Sequence, residues 1–212
     1  MATILIDMFE LDILSKEQKD LIDLVREFKD DYYLVGGTAL ALQIGHRRSI
    51  DFDLFTKIDF DNNQIIGKVG KYFPVEETFV NQKNQLTVMT HGVKMTWYQY
   101  KYPVPVNENW DEVIKMPDVL SIGCMKAFAL GQRAKWKDYV DVYFLLKQFS
   151  LEEISKKTVD IFGGGLFDEV LLRSQLSYFK DVDYSETVEF MPGFKVDDEI
   201  IKTSLADIAS RE

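Results

Sequence analysis

Residues 35–55, VGGTALALQIGHRRSIDFDLF, decide how this chain folds. An apolar run at 32–35 has the length of a short buried strand and stops at Gly36-Gly37. Two glycines let the backbone turn sharply and let a ligand come close to it. Residues 38–44 then read as a short helix closed by Gly45. Backbone N–H groups at such a helix start, together with the Thr38 hydroxyl, can hold a phosphate. Residues 50–55 alternate, with Ile50, Phe52 and Leu54 on one face and Asp51 and Asp53 on the other. Side chains two apart on a strand point the same way, so the two carboxylates converge. They repel each other unless a cation lies between them, and where phosphates also bind, hard Mg²⁺ suits. Taken singly, a strand-Gly-Gly-helix turn is a structural turn and Asp-x-Asp a solvated strand face. Together, with His46-Arg47-Arg48-Ser49 between them, they outline metal-dependent phosphoryl or nucleotidyl transfer.

Working outward, residues 15–31 read as a helix, capped by Ser15 with Gln18 completing an S-x-x-Q box. Leu21, Ile22, Leu24, Val25 and Phe28 recur along it at helical spacing. Residues 61–72 read as another helix, capped by Asp59 or Asp61. Residues 74–80, 86–90 and 93–102 read as strands, the last two joined at His91-Gly92. Beyond Pro103 and Pro105 the pattern turns helical. Asp118 opens a helix to about Gln132, residues 136–149 form the next, and the remainder is helix broken at Gly163-Gly164-Gly165 and Pro192-Gly193. Trp97, Tyr98, Tyr100 and Tyr102 read as core and cross-strand packing rather than a base-stacking platform, and Cys124 as an inert core thiol. The expected fold class is α+β: a mixed sheet with flanking helices, followed by a helical C-terminal part. The expected division is an α/β core over 1–105 and a mainly helical region over 106–212 that completes a cleft.

Composition narrows the function classes. The 212 residues are 46% hydrophobic and 28% charged, an ordinary globular balance that excludes wholesale disorder. One cysteine excludes an intramolecular disulfide, and two histidines leave little for a structural zinc site. No apolar run reaches a membrane span, and the N-terminal MATILIDMFELD lacks a basic leader region, so a cytoplasmic protein without a membrane partner is expected. With 25 Lys and Arg against 35 Asp and Glu, the net charge of −10 argues against a broad nucleic-acid-coating surface. The acidity is concentrated late, with 14 acids against 7 bases from Leu151 to Glu212.

The run G-G-T-A-L-A-L…H-R-R-S-I-D-F-D-L-F resembles the AbiEii/AbiGii toxins, nucleotidyltransferase-fold halves of type IV toxin–antitoxin and abortive-infection systems. Relatives carry a glycine-rich turn, an R-x-S-x-D-x-D motif and a downstream K…R…K-D-x-x-D motif. This chain carries the downstream motif at Lys126…Arg133-Ala-Lys135-Trp-Lys137-Asp138-Tyr-Val-Asp141. The resemblance spans about residues 30–150 and implies a nucleotidyltransferase-like fold. One departure stands out: many nucleotidyltransferases place a third carboxylate on a later strand, where this chain has Thr96.

The activity expected is nucleotidyl transfer from an NTP to an acceptor, either RNA such as a tRNA end or a protein. Asp51 and Asp53 would hold Mg²⁺ or Mn²⁺. Gly36, Gly37, Thr38, Arg48 and Ser49 would surround the nucleotide. Lys126 and Arg133 would meet its phosphates. Asp138 would share that nucleotide site, and Asp141 would act as a base or orient Lys126. The bland alternative for the second motif is a helical hairpin tied by surface ion pairs. The competing function is a non-catalytic nucleotide- or partner-binding regulator with a degenerate site, to which Thr96 points. An RNA acceptor would need a local basic set, His46, Arg47 and Arg48 with Arg133, Lys135 and Lys137. The acidic last third would then face away or dock a basic partner such as a cognate antitoxin.

Overall fold

A computed structural model describes residues 9–211. The first eight residues, part of the stretch read for a missing leader, lie outside it. After a 3-10 turn at Leu11–Ile13, α1 (Lys16–Asp20) and α2 (Ile22–Arg26) meet at Leu21, where one unbroken helix is expected. The capping box forms: Ser15 N–H donates to Gln18 Oε1 at 3.0 Å, and Gln18 N–H to Ser15 Oγ at 3.2 Å. Then follow β1 (Tyr33–Val35), α3 (Gly36–Ile44), β2 (Phe52–Thr56), α4 (Asn62–Val69), β3 (Val75–Gln82), β4 (Gln85–Thr90) and β5 (Val93–Gln99). Two further strands, β6 (Glu108–Trp110) and β7 (Ile114–Met116), precede α5 (Val119–Leu130) and α6 (Trp136–Leu145). The chain continues through α7 (Leu151–Phe162), α8 (Glu169–Ser177) and α9 (Asp198–Ala209).

The seven strands form one mixed sheet in the order β3-β4-β5-β2-β1-β7-β6. β2 runs parallel to β5 and β1 parallel to β7, while the remaining pairs are antiparallel. The expected α+β mixed sheet is therefore present. Its edge lies past the expected boundary at residue 105, because β6 and β7 belong to the same sheet. One sheet face is core: Leu34, Phe52, Leu54, Met95 and Trp97 are all buried, and the Trp97 ring lies 5.2 Å from that of Phe28. The other face carries Asp53, Phe55, Thr96 and Tyr98, alternating with those core residues. Helix α5 crosses this second face, and the gap between them is a cleft of about 520 Å³.

Candidate active site

The carboxylate pair sits where the sheet meets the glycine turn. Asp53 lies on β2 and Asp51 just before it, and both line the cleft with Gly36, Gly37, Ser49 and Lys126. Ile50, expected to begin the strand facing the core, is instead exposed, because pairing begins only at Phe52. Gly36 has a φ of +76° and stands against Asp53; a Cβ there would collide with the Asp53 carboxylate. A Cβ on Gly37 would lie 2.6 Å from Arg47 Nη2 and 2.8 Å from Ser49 Oγ. These two positions thus require glycine so that the Asp53, Arg47 and Ser49 side chains can crowd against the turn. No side chain caps α3 at this end, so its first N–H groups remain available to an anion.

Among the described residues Asp53 has no ion pair of its own. Burial and the neighbouring Asp51 push its carboxyl above the usual range, against the pull of Lys126, Lys94 and Lys137. Asp51 is better compensated, with Lys94 at 3.1 Å and Lys137 at 3.9 Å. Thr96 stands directly beside Asp53 in the β2–β5 register, and its hydroxyl is 3.3 Å from that of Thr87. The position at which the family pattern would add a third carboxylate is therefore occupied by a neutral hydroxyl. Among the described residues no cluster of three or more His, Cys, Asp or Glu side chains is arranged as a metal cage. Two hard carboxylates suit a divalent cation that keeps most of its shell for water and phosphate oxygens.

Behind the cleft lies a dry ionic cluster. Asp141 accepts from Arg47 Nε at 2.7 Å, Arg47 Nη2 at 2.8 Å and His46 Nε2 at 2.7 Å, and pairs with Lys126 Nζ at 2.7 Å. Asp138 pairs with Lys126 Nζ at 2.6 Å and with Arg133 Nε at 3.2 Å. Both aspartates are fully buried, and Lys126 is only 6% exposed. Burial alone would raise both carboxyl pKa values. Arg47 and Lys126 nevertheless hold Asp141 well below the usual range, and Lys126 with Arg133 lowers Asp138. Burial opposes the charge on Lys126, yet the two aspartates raise its pKa, so it stays an ammonium facing the cleft. His46 is driven down by desolvation more than Asp141 lifts it. The neutral ring therefore donates through Nε2, and its Nδ1 is left without a partner.

Residues 182–191 strap the two motifs together. Arg47 bridges to Phe190, Arg48 N–H donates to the Glu189 carbonyl at 2.9 Å and Met191 N–H to the His46 carbonyl at 3.1 Å. Eight residues earlier, Lys135 bridges to Asp183 and Trp136 N–H donates to the Asp183 carbonyl at 3.0 Å. Glu186 bonds both Lys135 and Lys137 at the cleft wall, and these lysines hold its pKa at about 2 against the effect of burial. This part of the acidic last third, expected to face away or to dock a partner, folds onto the basic motifs instead.

The sequence-predicted residues divide accordingly. Gly36, Gly37, Ser49, Asp51, Asp53, Lys126 and Arg133 line one cleft. Four others do not. The buried Thr38 hydroxyl turns away from any phosphate to donate to the Asp51 carbonyl, fixing the loop that carries the acids. Arg48 points outward to Glu189 at 2.7 Å, and Arg47 takes the cleft position. Asp138 and Asp141 lie in the cluster behind. Asp141, far too acidic to take up a proton near neutrality, orients Lys126 and Arg47. The motif R-x-S-x-D-x-D begins at Arg47, so the spacing already pointed to it. Lys94 and Tyr98 carried no such signal.

A family model described as "Nucleotidyl transferase AbiEii toxin, Type IV TA system" matches residues 21–174. This chain belongs to the AbiEii family. An uncharacterized protein of Aquifex aeolicus is 31% identical over 202 residues, covering 92% of this chain and 97% of its own length. Two solved structures share this chain's fold. JHP933 from Helicobacter pylori has a TM-score of 0.56 at 19% identity, covering 92% of this chain and 91% of that one. MenT4, a nucleotidyltransferase toxin of Mycobacterium tuberculosis, has a TM-score of 0.59 at 12% identity, covering 91% and 80%. Among the described residues of this AbiEii-family chain, no helix is long and apolar enough to cross a membrane.

Proposed function

We propose that this chain transfers a nucleoside monophosphate from an NTP to an acceptor hydroxyl, in RNA or protein, with release of pyrophosphate. The observation that carries this reading is the half-buried, unpaired Asp53 beside Asp51, facing the uncapped start of α3 across Gly36 and Gly37. Asp51 and Asp53 would hold Mg²⁺ or Mn²⁺. When bound, such an ion supplies charge neutralisation and alignment for phosphoryl chemistry. The chain's own groups do the rest. The α3 N–H groups and Ser49 bind phosphate oxygens. Lys126 and Arg47, held rigid by Asp141, meet developing negative charge without having to reorganise. With Asp141 withdrawn and Thr96 neutral, Asp51 and Asp53 are the carboxylates in the cleft that can receive the acceptor's proton. A cognate antitoxin is the partner that membership of this toxin family suggests.

The test is transfer of α-labelled NTP to cellular RNA or protein in the presence of Mg²⁺, with Asp53→Asn as the control. Label should transfer with the wild type and not with Asp53→Asn. Calorimetry showing no heat for Mg²⁺ with any of the four NTPs would sink the reading. A second reading, a nucleotide-binding regulator without turnover, is favoured by one observation: Thr96 in the register position beside Asp53. Tight NTP binding by the wild type with no transfer to any acceptor would select it.

A further inference from the structure

The nucleotidyltransferase reading leaves half of the cleft without a task. Two residues beyond Asp53 on the same face of β2 stands Phe55, and two beyond Thr96 on β5 stands Tyr98, with Phe55 opposite Tyr98 in register. A polar row and an aromatic row therefore lie side by side, about 7 Å apart along the strands. Asp51 and Lys94, the ion pair, mark the opposite end of the same two strands. Phe55 packs its ring 5.4 Å from Tyr98 and 5.0 Å from Tyr100, and all three line the cleft. Across the gap α5 presents Phe128, held by a parallel stack on Phe162 at 4.1 Å.

Packing against the small cluster around Phe162 explains Tyr100 and Phe128 but leaves Tyr98 partly open. Trp97, one residue earlier on β5, is fully buried against the core, whereas Tyr98 is 36% exposed in a concave surface. A large ring left partly wet beside a site built for phosphate suits a flat, apolar ligand part joined to that phosphate. We propose that Tyr98, backed by Phe55 and Tyr100, is a stacking platform for the nucleobase of the incoming NTP. The spacing between the two rows leaves room for the ribose, so the phosphates reach Gly36 and Lys126 while the base lies over Tyr98. Gln85 sits opposite Tyr98 in the β4–β5 register and lines the cleft. Its amide both donates and accepts, so it is placed to read the edge of the stacked base.

This proposal rests on the reading of the cleft as an NTP site, and one calorimetric series separates the two. Wild type, Tyr98→Ala and Tyr98→Phe are titrated, with Mg²⁺, against the four NTPs and inorganic tripolyphosphate. At least one NTP should bind wild type more tightly than tripolyphosphate. Tyr98→Ala should weaken that NTP by about 5- to 100-fold, the affinity equivalent of one base stacked on one ring. Tyr98→Phe should retain it, and tripolyphosphate should bind all three alike, which also certifies the fold. If wild type binds neither tripolyphosphate nor any NTP, the NTP-site reading falls and the platform with it. If tripolyphosphate binds as well as every NTP and Tyr98→Ala changes neither, the platform alone is overturned. A parallel titration uses a single-stranded RNA hexamer with an intact or an abasic 3′ nucleotide. Should only the intact hexamer lose affinity on Tyr98→Ala, with NTPs unaffected, the assignment to the incoming nucleotide is overturned in favour of an acceptor base.

Discussion

Asp51 and Asp53 form one aspartate pair, Asp138 and Asp141 another; Lys126 is bonded to the second and acts on Asp53 in the first only through its charge. Asp138 and Asp141 are fully buried and accept from four cationic or imidazole groups, and their pKa values fall. Asp53 is half-buried and without an ion pair, and its pKa rises. The same residue type is scaffold in one place and unmet demand in the other. Burial by itself does not mark a functional carboxylate; burial without sufficient positive charge does.

This contrast breaks most easily at Asp141. Asp141→Asn leaves Arg47, Lys126 and Asp138 in a dry cluster with the wrong charge balance. Unfolding free energy from urea titration should drop by about 3–5 kcal/mol. The wild type's acid limb should reflect the same cluster. The folded pKa values of Asp138 and Asp141 lie below their unfolded ones. The stability they contribute is therefore complete above the ordinary carboxylate range and is lost as pH falls through the depressed values. A wild type that kept its stability well below pH 4 would contradict this.

Lys126→Met attacks the pair from the other side. A surface ion pair would cost at most about 1 kcal/mol, the cost implied by an exposed helical hairpin. Because Lys126 is buried between two aspartates, we expect roughly 3 kcal/mol, with the depression of their carboxyl pKa values relieved. The change in proton uptake on unfolding, followed by calorimetry in two buffers, checks it.

Asp53→Asn should behave in the opposite way. Its raised folded pKa means that charge on Asp53 costs stability at neutral pH. The amide should melt at or above the wild-type temperature, by the equivalent of at most about 1 kcal/mol, while turnover disappears. A sharp fall in melting temperature would make Asp53 scaffold and erase the contrast.

The smallest effect is expected at Glu186→Gln. Glu186 is partly solvent-screened, so removing its bonds to Lys135 and Lys137 should cost less than about 1 kcal/mol. Its pKa falls from 4.5 to about 2, so that contribution is present above pH 4.5 and fades towards pH 2. The variant's stability curve should be flatter than the wild type's over that window.

Much of this was legible in the chain itself. The Gly36-Gly37 turn, the acids on the strand after it and the hairpin at His91-Gly92 are local patterns, and local patterns survive folding. β6 and β7 were not legible. Each is three residues long, too short to show a period of two, and the β6–β7 pair joins the rest of the sheet through a single parallel register point, Tyr33 with Lys115. The break at Leu21 left no mark either, because apolar spacing continues across it. In the site, residue types and order identified the cleft. Which acid faces ligand and which faces Arg47 depends on the packing of α6 against the 46–48 loop, a contact across more than ninety residues of chain. Which of Trp97 and Tyr98 lies inside was not legible, because alternation along β5 puts an aromatic ring on each face, and only the sheet's partners decide that Trp97 is buried.

The strap has a consequence in time. Residues 182–191 leave the ribosome after both motifs have been made. Until then the loop carrying His46 and Arg47 and the turn carrying Lys135 lack the strand-like clasp that ties them. An elongating chain thus holds every cleft residue in its sequence while lacking the buckle that fixes them. A message cut short before Asp183 would yield a protein in which Asp141 can still tie His46, Arg47 and Lys126 together but the backbone clasp on the two motifs is missing.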